Sequence, residues 1–282
     1  MKVAVFTSQA GEIKALLEAF KGAGFKVSVV SGSFDDFKED FDLGLVYKYR
    51  YIFSGNFVSK RFLLNIHYSL LPKYRGPLPL VGQLLNGDPV GGITLHKVVE
   101  QVDAGPILRQ FRFDISHLYN TAELNSFYVN KLNNEVTPWL VNVVKSGTIF
   151  DLKNYSTQQG TPSYAGFWLL KQGGPVEPLR LTAVELVNRV RALALDPGVW
   201  VKARVDSRLT RLFLRRVVAY SGSLLVKPNM LVFDKKIRRM ILGTALGAVS
   251  VEEAVLEGKK VLKGEQWLSL KGRLAVLGGS RE

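Results

Sequence analysis

The chain has 282 residues, 47% hydrophobic and 22% charged, enough apolar material for one large globular domain or two of ordinary size. It contains no cysteine, which excludes disulfides and thiolate metal sites, and no apolar run approaches the roughly 18 residues of a membrane span. The formal net charge of +14 is uneven: residues 1–150 carry 16 Lys and Arg against 13 Asp and Glu, whereas residues 151–282 carry 22 against 11. Within 201–240 the ratio is 11 to 2. Such clustering suits a polyanionic partner such as RNA, and it equally suits a solvated basic surface. The opening Met1 to Phe6 is too short, and too soon followed by Ser8, Gln9 and Glu12, for a signal peptide, so a cytoplasmic protein is expected.

Lys2 to Phe6 is an apolar run of the buried-strand kind. Ile13, Leu16, Leu17 and Phe20 follow at helical spacing, and Gly22 and Gly24 close that helix. Lys26 to Val30 and Leu43 to Tyr47 read as two more strands, so strand, helix, strand with short connections predicts a parallel, doubly wound α/β sheet. The turn Thr7 to Gly11 lacks the glycine spacing of a dinucleotide fingerprint, so neither NAD nor FAD is expected. A fourth strand ends with Asn65 and His67, and Gly82 to Leu85 forms part of a short helix stopping at Asn86-Gly87-Asp88. Gly92 to Val99 and Leu108 to Phe113 continue the sheet, with Asp103-Ala104-Gly105 turning between them. A long helix from about Thr121 to Lys145 should bury Leu124, Phe127, Tyr128, Leu132, Val136, Trp139, Leu140 and Val143, with a kink at Pro138.

Residues 156–178 are rich in Gln, Gly, Ser and Pro and read as a linker between domains at 1–155 and 179–282. Thr182 and Glu185 form a capping-box pattern opening a helix that buries Leu186, Val190 and Leu193 and ends at Asp196-Pro197-Gly198. Five short β-rich runs follow: Trp200 to Val205, Arg211 to Tyr220, Ser223 to Val226, Met230 to Phe233 and Arg239 to Leu242. Short strands separated by turn signals suggest a small β-barrel of the oligonucleotide-binding (OB-like) kind.

Three polar groups stand out in this frame. Asn65 and His67 lie two apart in an apolar run, so a strand projects both from one face. A lone histidine is more often structural than catalytic, but Asp103 supplies the carboxylate an imidazole needs to hold a proton. An amide beside them can steady an oxyanion. Ser69 is not set in a Gly-x-Ser-x-Gly elbow, and three scattered histidines give no metal spacing. Amide, imidazole and carboxylate without a nucleophile fit direct acyl transfer to an amine.

The stretch Asn65 to Gly76, followed by Thr94 to Leu108, closely resembles the 10-formyltetrahydrofolate-dependent formyltransferases. Their signature is Asn-x-His, then Ser-Leu-Leu-Pro-x-x-Arg-Gly, then an Asp-x-Gly turn. The resemblance implies a Rossmann-like catalytic domain in which Asn65 and protonated His67 hold the formyl oxygen as charge develops, while Asp103 supports the His67 charge and assists proton transfer. It implies 10-formyltetrahydrofolate as formyl donor, no metal, and a folate pocket bordered by Tyr51, Ile52, Phe53, Ser69, Leu70, Leu71 and Pro72. The linker residues Ser163-Tyr164-Ala165, the capped helix with Arg189, Arg191 and Ala192, and the segment Leu256 to Lys260 are similar to the branch that acts on methionyl-tRNA. A monomer formylating the α-amine of methionyl-tRNA is therefore implied, with Arg75, Arg208, Arg211, Arg215, Arg216, Lys235, Lys236, Arg238 and Arg239 as candidate phosphate contacts. The chain departs from that branch after Val30, where a basic loop is replaced by Asp35, Asp36, Glu39 and Asp40. Thr94-Leu95-His96 and Tyr49-Arg50-Tyr51 are similar to enzymes that formylate nucleotide-linked amino sugars, the alternative acceptor. A non-catalytic RNA-binding protein is the alternative of another class.

Overall fold

The computed structural model describes residues 1–117, 119–195, 198–270 and 273–277. Its contacts divide the chain into two compact units, one of residues 1–83, 88–117 and 122–166 and the other of residues 84–87, 118–121 and 167–282.

The first unit is built on six strands: β1 (Lys2–Thr7), β2 (Lys26–Val30), β3 (Leu43–Tyr47), β4 (Leu63–His67), β5 (Val90–Lys97) and β6 (Ile107–Asp114). They lie in the order β2-β1-β3-β4-β5-β6. The pairs β1–β2, β1–β3 and β3–β4 are parallel, as an α/β pattern with crossover helices requires. The pairs β4–β5 and β5–β6 are antiparallel. Only residues 98–106 connect β5 to β6, fewer than the dozen that a parallel crossover takes. The sheet is therefore parallel in one half and antiparallel in the half that carries Asn65, His67 and the Asp103 turn.

Helices α1 (Lys14–Gly22), α2 (Gly55–Ser59), α3 (Pro79–Asn86), α4 (Thr121–Lys131) and α5 (Thr137–Lys145) punctuate the strands. α1 buries Leu16 and Phe20, and Gly24 at φ +89 ends it in the left-handed conformation that only glycine adopts freely. α4 and α5 form the expected long helix, but a π turn over Leu132–Val136 joins them. Pro138 lacks an N–H and crowds the preceding turn, and the wider π turn accommodates both effects. It also changes the buried face. Leu124, Tyr128, Leu132, Val136, Leu140 and Val144 are buried every fourth residue, while Phe127, Trp139 and Val143 are only half-buried.

On one sheet face Ala4, Phe6, Val46 and Leu63 meet Val30, Phe34, Phe53 and Phe57 in an aromatic-rich cluster. Phe6 sits at its centre, edge-on to Phe37, Phe41, Tyr49, Phe53 and Phe57. Edge-to-face packing of this kind adds about 0.5–1.5 kcal/mol per pair beyond the buried area. Leu63, Asn65 and His67 alternate along β4 and so share this face. The cluster is a rigid apolar platform from which the two polar side chains of β4 project.

The stretch read as the start of a linker is held in the first unit. Ser156 bridges to Ile107, and Arg75 pairs with the segment around Tyr164. Arg75 N–H donates to the Ser163 carbonyl, and Ala165 N–H to the Arg75 carbonyl. Gln and Ser, taken as signs of a solvated connector, instead supply the hydrogen bonds of a strap.

The second unit contains the short strand β7 (Gly174–Pro175), helix α6 (Ala183–Leu193), and strands β8 (Val199–Val205), β9 (Arg208–Ala219), β10 (Leu231–Asp234), β11 (Arg239–Gly243), β12 (Ala248–Leu256), β13 (Val261–Lys263) and β14 (Leu274–Val276). The capping box is present in full: Thr182 accepts from Glu185 N–H, and Glu185 accepts from Thr182 N–H. Leu186, Val190 and Leu193 are buried as expected. The expected end of this helix includes Asp196 and Pro197, which lie outside the described residues. The main path of the sheet runs β10-β11-β12-β9-β8-β14 with antiparallel pairings, and its two end strands approach one another. Two expectations fail here. Residues 223–226 form no strand, and Leu225 is 98% exposed where a strand would have buried it. The central strand β12 was not foreseen, since Glu252-Glu253 interrupts its apolar run.

Candidate active site

Three elements converge on one carboxylate. β4 carries Asn65 and His67, β5 carries His96, and the turn between β5 and β6 carries Asp103. The register places Asn65 opposite His96 across β4–β5, which puts the two side chains on one face. Asp103 Oδ1 accepts from Asn65 Nδ2 at 3.1 Å and lies 3.5 Å from His96 Nε2. Asp103 Oδ2 accepts from the Gly76 N–H at 2.8 Å and lies 3.6 Å from His67 Nδ1. His67 is 6% exposed, whereas Asn65 is half-buried and gives the site its opening.

These contacts determine proton positions. His96 Nδ1 lies 3.0 Å from the Lys97 carbonyl, which can only accept, so that nitrogen carries the hydrogen and Nε2 is a bare acceptor. His96 Nε2 then takes the second Asn65 amide hydrogen at 3.1 Å. With acceptors on both sides, the Asn65 side chain must present its nitrogen to Asp103 and His96. By the same logic His67 Nε2 carries a hydrogen, donated to the Tyr74 carbonyl at 2.9 Å, and its Nδ1 faces Asp103.

Burial pushes the His67 imidazole below its ordinary range; the Asp103 charge pulls it back up in part, and His96 adds to the downward push. The downward direction favours the neutral imidazole at rest. Burial alone would raise the Asp103 carboxyl, but the neighbouring His67 and His96 imidazoles and the Gly76 N–H outweigh it and hold the carboxyl well below the usual carboxylate range. The resting pair is a neutral imidazole whose free lone pair faces a carboxylate. That arrangement is a base with a prepared counter-ion.

The loop Ser69 to Gly76 closes one side. Ser69 is fully buried, and its hydroxyl donates to the Lys73 carbonyl at 2.6 Å, so it is not poised as a nucleophile. Leu71 N–H donates to Thr94 Oγ1, and the Leu71 carbonyl accepts from Gln110. Leu71 and Pro72 are buried and Leu70 half-buried. Of the other residues implied for the folate pocket, Phe53 is taken into the aromatic cluster, while Tyr51 is exposed and Ile52 is 76% exposed. A Cβ on Gly55 would lie 3.1 Å from the Glu100 carboxylate, so the 51–55 and 98–103 loops are neighbours. The second of these exposes Val102 beside Asp103. These two loops expose the apolar side chains of Tyr51, Ile52 and Val102, surface that an apolar part of a ligand could cover.

The candidate phosphate contacts are scattered. Arg75 belongs to the first unit, is only 8% exposed, and donates from Nε and Nη2 to Gln158 Oε1. In the second unit Arg211 pairs with Glu257 and Arg239 with Glu252, while Arg215 donates to the Ala194 carbonyl. Arg216 is half-buried; Arg208, Lys235, Lys236 and Arg238 are exposed. His96 was missed as a member of the site because a histidine in an apolar strand carries no signal of its own. Its sequence cues were its position, seven residues before Asp103, and its place in the Thr94-Leu95-His96 resemblance, which assigned it no role. Among the described residues no His, Cys, Asp and Glu group could hold a metal ion, and no helix is long and apolar enough to cross a membrane.

Residues 34–144 match the model of the formyl transferase family, and residues 179–272 match that of the formyl transferase C-terminal domain. The methionyl-tRNA formyltransferase of Borrelia hermsii is 30% identical over 229 residues, covering 78% of this chain and 69% of the relative. Among solved structures, HypX from Aquifex aeolicus in complex with tetrahydrofolic acid superposes with a TM-score of 0.66 at 19% identity. It covers 96% of this chain, which spans about half (48%) of the HypX chain. A methionyl-tRNA formyltransferase from Clostridium thermocellum superposes with a TM-score of 0.59 at 16% identity, covering 80% of this chain and 96% of its own.

Proposed function

The chain belongs to the formyltransferase family, and from that premise we propose that it transfers a formyl group from 10-formyltetrahydrofolate to the α-amine of methionyl-tRNA, in the cytoplasm and as a monomer. The observation that carries the reading is the convergence of Asn65, His67 and His96 on the Asp103 carboxylate, with the neighbouring hydroxyls of Ser69 and Thr94 both buried and engaged. A site with a base and an amide but no nucleophile leaves the attack to the acceptor amine itself.

10-Formyltetrahydrofolate supplies the formyl carbon, and Ser69 to Pro72 with Tyr51, Ile52 and Val102 would hold it. At rest both Asn65 amide hydrogens are engaged, by Asp103 and by His96. Asn65 therefore acts on the formyl oxygen by exchanging one of these bonds as negative charge develops there, which makes the contact stronger in the transition state than before it. His67 Nδ1 takes the proton that the amine releases on attack and would return it to the folate N10 as the formyl C–N10 bond breaks and tetrahydrofolate leaves. The resulting imidazolium has one hydrogen on the Tyr74 carbonyl and the other toward Asp103, whose charge stabilises it. The basic strands and turns of the second unit, above all Arg208, Lys235, Lys236 and Arg238, are the surface offered to the tRNA backbone.

Replacing His67 by Gln keeps a donor for the Tyr74 carbonyl and removes the base. Formyl transfer to methionyl-tRNA is expected to fall by at least 10²-fold, the usual share of general-base catalysis, with an unchanged circular dichroism spectrum. Turnover within threefold of wild type would sink the assignment.

A further inference from the structure

Asp103 sits at φ +51, in the left-handed region that costs a residue with a side chain about 1–2 kcal/mol. Its turn is held to the end of β5 by close packing: a Cβ on Gly105 would fall 1.8 Å from the Lys97 carbonyl oxygen. Within the turn, Ala104 N–H donates to the Gln101 carbonyl. The carbonyls of Asp103 and Gly105 are both taken by one side chain from elsewhere, Gln158, whose Nε2 donates to each at 2.8 Å. Gln158 lies in the strap of residues 156–165, and its orientation is not free. Its Oε1 accepts from Arg75 Nε at 3.2 Å and Nη2 at 2.6 Å, so the nitrogen end must face the turn.

The choice of glutamine is informative. Arg75 is buried, and among the described residues it forms no ion pair. A buried cation alone would favour a carboxylate at position 158. A carboxylate there, however, would bring an oxygen against two carbonyl oxygens and repel the turn that carries Asp103. Only an amide both accepts from a guanidinium and donates twice.

We propose that Gln158 is a positioning residue of the formyl-transfer site, holding the strained Asp103 turn so that its carboxylate meets His67 and Asn65, with Arg75 fixing the direction of the amide. The claim of a catalytic consequence rests on the function proposed above; the claim about the turn does not.

The test uses the full chain carrying Gln158→Glu, with two readouts. The first is steady-state formyl transfer. kcat is expected to fall tenfold or more with KM for either substrate within twofold, since the binding surfaces are untouched. The second is the imidazole titration of His67 by NMR, which needs no turnover. The turn, once released, withdraws the Asp103 charge, and His67 titrates at lower pH than in wild type. A purely structural strap predicts the opposite pattern, because the new carboxylate pairs with Arg75 and leaves kcat and the titration unchanged while raising the melting temperature. A wild-type kcat or a wild-type His67 titration overturns the proposal. Gln158→Met, which removes the hydrogen bonds to the turn and those from Arg75 without adding charge, is read by the same criteria if the Glu variant does not fold. A wild-type protein inert toward 10-formyltetrahydrofolate would refute the functional reading instead, and the titration would still decide the role of Gln158.

Discussion

Asp103→Asn removes one charge and almost no volume, and the structure fixes what it should cost. The carboxylate lies 3.6 Å from His67 Nδ1, with both side chains largely out of solvent. At an effective dielectric constant of about 20, opposite unit charges at that separation attract by about 4–5 kcal/mol, on the order of 10³-fold in rate if the pair forms only in the transition state. Because resting His67 is neutral, most of that attraction appears when the amine proton arrives. The loss should therefore fall on kcat, with KM little changed. The asparagine oxygen can still accept from Gly76 N–H, so the turn has a partner and the variant should fold. Removing the carboxylate also removes the one nearby charge that raises the His67 imidazole, so the acid limb of the pH–kcat/KM profile moves to lower pH. A stability signature goes with it. The carboxyl is depressed in the folded state, so its contribution is fully present above the unfolded value near 3.8 and drains as pH falls further. The variant should lack that acid-side loss. The assay is single-turnover formyl transfer followed from pH 5 to 8, alongside thermal melts. A kcat within tenfold of wild type, or an unmoved acid limb, would refute the idea that Asp103 acts through the His67 charge.

His96→Ala should shift the acid limb the other way, to higher pH, because His96 lowers the His67 imidazole; it should also cost roughly fivefold in kcat, since a neutral hydrogen bond of about 1 kcal/mol no longer fixes the Asn65 amide. An unmoved limb together with a wild-type kcat would show His96 to be a bystander. Binding of methionyl-tRNA should weaken steeply with salt, with the logarithm of affinity falling linearly in the logarithm of salt concentration. The double substitution Lys235→Ala, Lys236→Ala should lower the slope by about 2, and a flat salt dependence would remove the basic unit from the binding surface.

The first unit was the more legible because its strands are short apolar runs, and because β4 interrupts such a run with Asn65 and His67 at a spacing of two. The geometry on β4 follows from that alternation. The antiparallel turn of the sheet could have been read from the brevity of 98–106. His96 was hidden by its setting in an apolar strand, where only the β4–β5 register reveals that it faces Asn65. Gln158 was hidden by composition. A glutamine among Ser, Gly and Pro looks solvated until its amide is found on two carbonyls more than fifty residues away. In the second unit, Ser223 to Val226 resembled a strand but pair with none among the described residues, whereas β12 tolerates Glu252 and Glu253 because Arg239 and Lys263 neutralise them. Pairing with other strands, rather than local propensity, decided both cases.

The most direct test offers the protein 10-formyltetrahydrofolate with methionyl-tRNA and, in parallel, with nucleotide-linked amino sugars, and asks by mass spectrometry which amine gains the formyl group. The account predicts N-formylmethionyl-tRNA, formed by wild type and lost in His67→Gln. Formylation of an amino sugar with methionyl-tRNA untouched, or no formyl transfer to either, would contradict it.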